Sequence, residues 1–181
     1  MLVLASQSPR RREILTRAGI PFVVRPVDVN ESKVGDEDPM EHVRRLAREK
    51  AEAAPAGPGE VVLGADTVVV LDGQILGKPA NTGDAERMLR MLSGREHLVI
   101  TGICLRGPSE VVVDVESTKV RFVPISDREI ADYVATGEPM DKAGAYAVQG
   151  LASKFIDRIE GCYFNVVGLP ISLVCKHLGN R

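Results

Sequence analysis

An aspartate interrupts the apolar run VVLGADTVVVL. A carboxylate is costly to bury unless it is paired or binds a metal, so Asp66 is the first candidate for chemistry. The structural alternative is a turn or bulge aspartate bonded to nearby backbone, which Gly64 would permit. Thr67 follows as a polar partner. Lys50 is out of place in the same way. It lies seven residues after Val43 and four after Leu46, on the apolar stripe of a helix in HVRRLAREKAEA. A snorkelling lysine near a helix C-terminus is the plainer account. Glu31, in the acidic stretch VDVNES, would ordinarily be solvated; meeting Asp66, it would complete a carboxylate pair suited to magnesium and phosphate oxygens.

Cations cluster in SQSPRRR near the start. Ser8 reads as an N-cap and Pro9 as the first helical residue. Arginine there opposes the positive end of the helix dipole, so either the side chains point into water or they face an anion. Arg10 lies four residues before Ile14 and Arg11 four before Leu15, so both project near the inward side, whereas Arg12 lines up with Thr16 on the wet side. Lys78, in LGKPA, reads as a loop lysine with an extended backbone. DKAGAYAVQG reads as Asp141 and Lys142 before a small-residue strand that ends at Gln149. Its amide could read a polar ring edge, or the segment could simply be a tight turn. Together the cations and carboxylates suggest a polyphosphate with a divalent metal, held without a P-loop. No Walker A or GxGxxG pattern is present, and His42, His97 and His177 have no ligand spacing.

The elements that must position these residues follow from pattern. Leu2 to Leu4 reads as a buried strand, followed by the Ser8-capped helix. PFVVRPVDVNES reads as extended. A helix runs from about Pro39 to Ala54 with Val43, Leu46, Ala47 and Ala51 as its stripe. Asp72-Gly73 marks a hairpin. NTGDAERMLRMLSG is amphipathic, with Met88, Leu89 and Leu92 inward. HLVITGICL and EVVVDVESTKVRFVPI read as strands. SDREIADYVATGEP opens with a capping box, Ser126 with Glu129, and stops at Gly137. AYAVQG and KFIDRIEG read as short strands, and LPISLVCKHLG as a helix ending at Gly179. Hairpins mixed with crossovers predict an α/β fold with a mixed sheet flanked by helices.

The whole chain bounds the rest. Its 181 residues carry a net charge of −2, so a broad nucleic-acid or membrane surface is not expected. Cys104, Cys162 and Cys175 are odd in number and lack CxxC spacing, which fits a reducing compartment. The N-terminal apolar run is short, and basic residues follow it, so no secretory leader is expected and the cytoplasm is.

These stretches resemble the Maf family of nucleoside triphosphate pyrophosphatases. The resemblance runs through ASQSPRRREIL, GADTVV, LGKP, SGREHLVITG, GEPMDKAGAYAVQG and NVVGLPIS, in order over nearly the whole chain. It implies one domain over 1–181, an elongated mixed sheet and two lobes with a cleft, related to inosine-triphosphatase-like enzymes. It implies hydrolysis between the α and β phosphates. By motif, Asp66 is the proton acceptor and, with Glu31, a ligand of a divalent metal (magnesium, with manganese or cobalt as substitutes). Arg10, Arg11, Lys50 and Lys78 would hold the triphosphate. Thr67 and Gln149 would bear on base choice. ADTVV with AGAYAVQG resembles the branch acting on dTTP and UTP rather than 7-methyl-GTP, which pairs SDQV with an acidic residue near the Gln149 position. The departures are the third arginine, Ala152 and Cys162. A homodimer is also implied. A nucleotide-binding regulator of septum formation with little turnover is the alternative; a phosphomonoesterase lacks its nucleophile motifs here.

Overall fold

A computed structural model describes residues 1–179. It contains seven strands, β1 (Leu2–Leu4), β2 (Phe22–Val24), β3 (Val61–Leu71), β4 (Gln74–Leu76), β5 (Glu96–Arg106), β6 (Val111–Phe122) and β7 (Ile156–Glu160). The helices are α1 (Pro9–Arg17), α2 (Pro39–Ala53), α3 (Thr82–Leu92), α4 (Asp127–Ala135), α5 (Tyr163–Val167) and α6 (Ile171–Leu178). Strands pair in the order β2-β1-β3-β5-β6-β7, with β4 on β3. β1 is parallel to both β2 and β3, whereas β3–β4 and β6–β7 are antiparallel, so the sheet is mixed as expected.

The chain divides into two compact units. The first comprises Met1–Thr67, Thr101–Glu116 and the segment from Gly168 onward. Here β1 is buried along its whole length and pairs with strands at both edges, as its unbroken apolar run leads one to expect of a central parallel strand. α1 starts where Ser8 Oγ accepts the Arg11 N–H and Pro9 takes the first turn. α2 buries Val43, Leu46, Ala47 and Ala51, and Lys50 among them. Val3, Ala5, Val62 and Cys104 complete that core.

The second unit comprises Val68–Ile100 and Ser117–Val167. Asp72 and Gly73 both have positive φ, 50° and 77°, as the two-residue β3–β4 hairpin requires. Met88, Leu89 and Leu92 of α3 pack with Phe122, Ile130, Tyr133 and Phe155. The Ser126–Glu129 capping box closes in both directions, and Gly137 ends the following turn at φ 77°.

One expectation fails. AYAVQG is not a strand: Ala143–Ala145 is a 3-10 turn, and the next element is another 3-10 turn, Leu151–Phe155. Gly144 and Ala145 have φ of 68° and 60°, which turns the backbone out of the extended region. A Cβ on Gly144 would sit 2.8 Å from Val69, and the Gly144 N–H donates to the Gly77 carbonyl at 3.0 Å. The small residues therefore permit a tight crossing, not a pleat.

Candidate active site

Two glycines bring α2 down onto the strands. A Cβ on Gly64 would lie 2.1 Å from the Ala47 carbonyl oxygen, and one on Gly102 would lie 2.4 Å from that of Val43. The helix backbone thus rests directly on β3 and β5. Asp66 is not a turn aspartate bonded to nearby backbone, the alternative the sequence left open: it lies inside β3 and accepts from Lys50, while Gly64 makes room for the helix. Alternate residues of a strand share a face, so Asp66, two after Gly64, faces the same helix. Gly64→Ala should cost about 2–3 kcal/mol in urea unfolding, because neither backbone can yield cheaply. Gly107→Ala, whose nearest neighbour is 3.5 Å away, is the control. Equal stability of the two variants would contradict this account.

On that face, Lys50 Nζ donates to Asp66 Oδ1 at 2.7 Å and to Glu31 Oε1 at 2.6 Å. Asp66 is 7 % exposed and Lys50 8 %, so the charge pair is buried and holds itself in place by mutual compensation. Glu31 comes from an exposed loop, and α2 also fixes that loop. Arg45 donates to the Ser32 carbonyl at 3.0 Å and to both carboxylate oxygens of Glu37, at 2.9 and 2.6 Å. His42 Nδ1 lies 2.8 Å from the same carboxylate. The Arg45 hydrogen bonds hold Glu37 far below the usual carboxylate range.

Thr67 projects to the opposite face of β3. Its Oγ1 accepts from Arg11 Nη2 at 3.1 Å and shares a hydrogen bond with Thr101 Oγ1 at 2.9 Å. Arg11 Nε donates to the Gly168 carbonyl at 2.8 Å, and Nη1 to Ser6 Oγ at 3.2 Å. Arg11 is the inward member of the arginine run, Arg10 is half-buried, and Arg12 is exposed, which is the phase read from the sequence. Burial lowers the Arg11 pKa most. Asp66 and Glu31 oppose that shift and Arg10 adds to it, so all four charges share one electrostatic neighbourhood. A guanidinium fork has five donors and keeps its charge, so it can hold this hydroxyl cluster and still face an anion.

Lys78 and Gln149 belong to the second unit, and both are exposed. The Gly144–Gly77 bond ties the turn leading to Gln149 to the loop carrying Lys78. Sequence reasoning missed Ser6, Thr101, Gly102 and Gly168. Thr101 carried a usable signal, a polar residue inside HLVITGICL; it is fully buried. Ser6 and Gly168 act through distant partners and left none.

The donor set fits a magnesium ion that brings further oxygen ligands of its own. Asp66 and Glu31 converge on a point where a cation, the Lys50 ammonium, already sits. Among the described residues no group of three or more histidine, cysteine, aspartate or glutamate side chains could hold a metal alone. Magnesium takes one or two carboxylates and completes its shell with phosphate and water oxygens.

Fold and site together define an α/β protein with a buried lysine–carboxylate centre suited to phosphates. The fold is that of the Staphylococcus aureus Ham1 protein, 16% identical with a TM-score of 0.56 over 99% of both chains. A Ham1 protein from Coxiella burnetii superposes similarly, with a TM-score of 0.55 at 16% identity over 99% of this chain and 98% of that one. The chain belongs to the Maf family: the Maf-like protein model matches residues 1–181. It is 55% identical over 176 residues to the dTTP/UTP pyrophosphatase of Koribacter versatilis, covering 97% of this chain and 91% of that protein. It is also 55% identical over 171 residues to the dTTP/UTP pyrophosphatase of Symbiobacterium thermophilum, covering 94% and 88%.

Proposed function

We infer that this protein is a nucleoside triphosphate pyrophosphatase that hydrolyses dTTP and UTP to the monophosphate and pyrophosphate. The observation that carries the chemistry is the buried Asp66–Lys50–Glu31 centre. The substrate follows from relatives of that name at 55% identity over nearly the full length. The whole chain, 1–181, is proposed as one functional domain, because the family match has the same span.

Asp66 orients or deprotonates the water that attacks the α-phosphorus. Lys50 holds the Asp66 carboxylate in place through its hydrogen bond, and it adds positive charge where the phosphates bind. Arg10, Arg11 and Lys78 neutralise charge that develops on the leaving pyrophosphate. Thr67, fixed between Arg11 and Thr101, and Gln149 bear on the base. Asp66 and Glu31 would hold a divalent metal, which would supply positive charge toward the phosphates and make water a better nucleophile. A solvent-facing amide such as Gln149 offers one donor side and one acceptor side, which matches the edge of thymine or uracil.

The cytoplasm is the proposed compartment. The three cysteines are free thiols, and no described helix is long and apolar enough to cross a membrane. A homodimer is proposed on the family resemblance.

Product analysis tests the function. With magnesium, dTTP and UTP should each yield pyrophosphate and the monophosphate in equal amounts, while CTP, GTP and 7-methyl-GTP yield little. Binding without product would instead support a regulator. Gln149→Glu should lower kcat/KM for dTTP and UTP by about tenfold or more through loss of the amide donor. An unchanged base preference in folded Gln149→Glu would reject Gln149 as a base reader.

A further inference from the structure

The side chain of Gln149 is exposed, yet the backbone on either side of it is held by one pair, a buried tyrosine and a half-buried glutamate. Tyr133, on α4, donates from Oη to Glu138 Oε2 at 2.6 Å. The Ala147 N–H, two residues before Gln149, donates to Tyr133 Oη at 3.4 Å. The Leu151 N–H, two residues after it, donates to both Glu138 carboxylate oxygens, at 3.0 and 3.1 Å. A phenol and a carboxylate therefore grip the chain symmetrically about the glutamine.

The pair is itself well anchored. Tyr133 is buried, and its ring meets Phe155 edge-on with centroids 5.7 Å apart. Burial first, and Glu138 second, push the phenol well above its usual pKa, so it remains a donor. The backbone leading into Glu138 turns at Gly137, φ 77°, and the Glu138 carbonyl accepts from Lys142 Nζ at 2.8 Å. Gly150 completes the arrangement. A Cβ there would lie 2.2 Å from Glu138 Oε1, so any side chain at 150 must expel the carboxylate.

We propose, on the basis of the function inferred above, that Tyr133 and Glu138 are positioning residues for base selection, acting through the backbone on either side of Gln149. They touch no substrate. They hold the amide of Gln149 at one height and angle, and discrimination between pyrimidine edges depends on that placement more than turnover does. A hydrogen-bonding reader distinguishes two bases only if its donor and acceptor are fixed, because a mobile amide can satisfy either edge.

The test is a double-mutant cycle read as selectivity, the ratio of kcat/KM for dTTP to that for CTP. Glu138→Gln, Tyr133→Phe and Gly150→Ala should each lower the ratio by about tenfold, mainly by raising CTP use relative to dTTP use. In a Gln149→Ala background the same changes should have no further effect on the ratio, a non-additivity that general loosening of the fold would not produce. Gly150→Ala lies on a turn outside the core, so it tests the proposal even where Tyr133→Phe fails to fold. If Gln149→Ala loses selectivity while the three variants retain it, the positioning role is overturned and the function stands. If the variants remain additive with Gln149→Ala, the role is equally overturned. A wild-type chain that treats dTTP and CTP alike overturns the function and this role with it.

Discussion

Asp66→Asn loses turnover of dTTP by about a thousandfold or more and keeps its fold. The asparagine is nearly isosteric but has no charge with which to orient a water or share a metal. Its second polar atom is a donor aimed into a place where the carboxylate accepted. The fold survives because Lys50 is not stranded: its ammonium still bonds Glu31 Oε1 at 2.6 Å. Steady-state kinetics with pyrophosphate detection and a urea unfolding curve, run on one preparation, separate the two properties. Turnover within threefold of wild type would remove Asp66 from the mechanism.

The second large effect differs in kind. Lys50→Met should lose both activity and stability. Removing the ammonium leaves Asp66, 7 % exposed, as a buried charge without its cation, and breaking such a pair costs about 3–5 kcal/mol. Methionine fills the aliphatic path of the lysine, so packing accounts for little of that loss. The double variant Lys50→Met/Asp66→Asn should then recover most of the stability, because it removes both charges, and recover none of the turnover. This pattern separates a charge that serves the site from one that serves the fold. A single Lys50→Met variant as stable as wild type would show that the pair is not compensating.

Much of this centre was legible in the sequence because it breaks local rules. Lys50 on an apolar stripe and Asp66 in an apolar strand are each expensive alone, and their pairing is the simplest way to offset both. Arg11 was legible from its phase behind Ser8 and Pro9. Glu31 was less so. Nothing local places an exposed loop glutamate beside Lys50; the placement comes from Arg45 and His42 gripping Glu37, contacts set by the helix and not by the loop. Gly64 and Gly102 show the same limit. A glycine in a strand signals that something approaches closely, but not that the approaching object is a helix backbone. AYAVQG misled because small residues between apolar ones mimic a strand, and the positive φ of Ala145 has no sequence signature. Lys78 and Gln149 sit in exposed loops, where residue type alone says little, and their roles rest on the family motifs around them.

The most direct test of the central claim is where water adds. Wild-type protein should hydrolyse dTTP in heavy-oxygen water with magnesium, and mass spectrometry should locate the label. Attack at the α-phosphorus, with Asp66 beside it, predicts one heavy oxygen in thymidine monophosphate and none in pyrophosphate. Label in pyrophosphate, or in released orthophosphate, would place the attack at another phosphorus and contradict the mechanism.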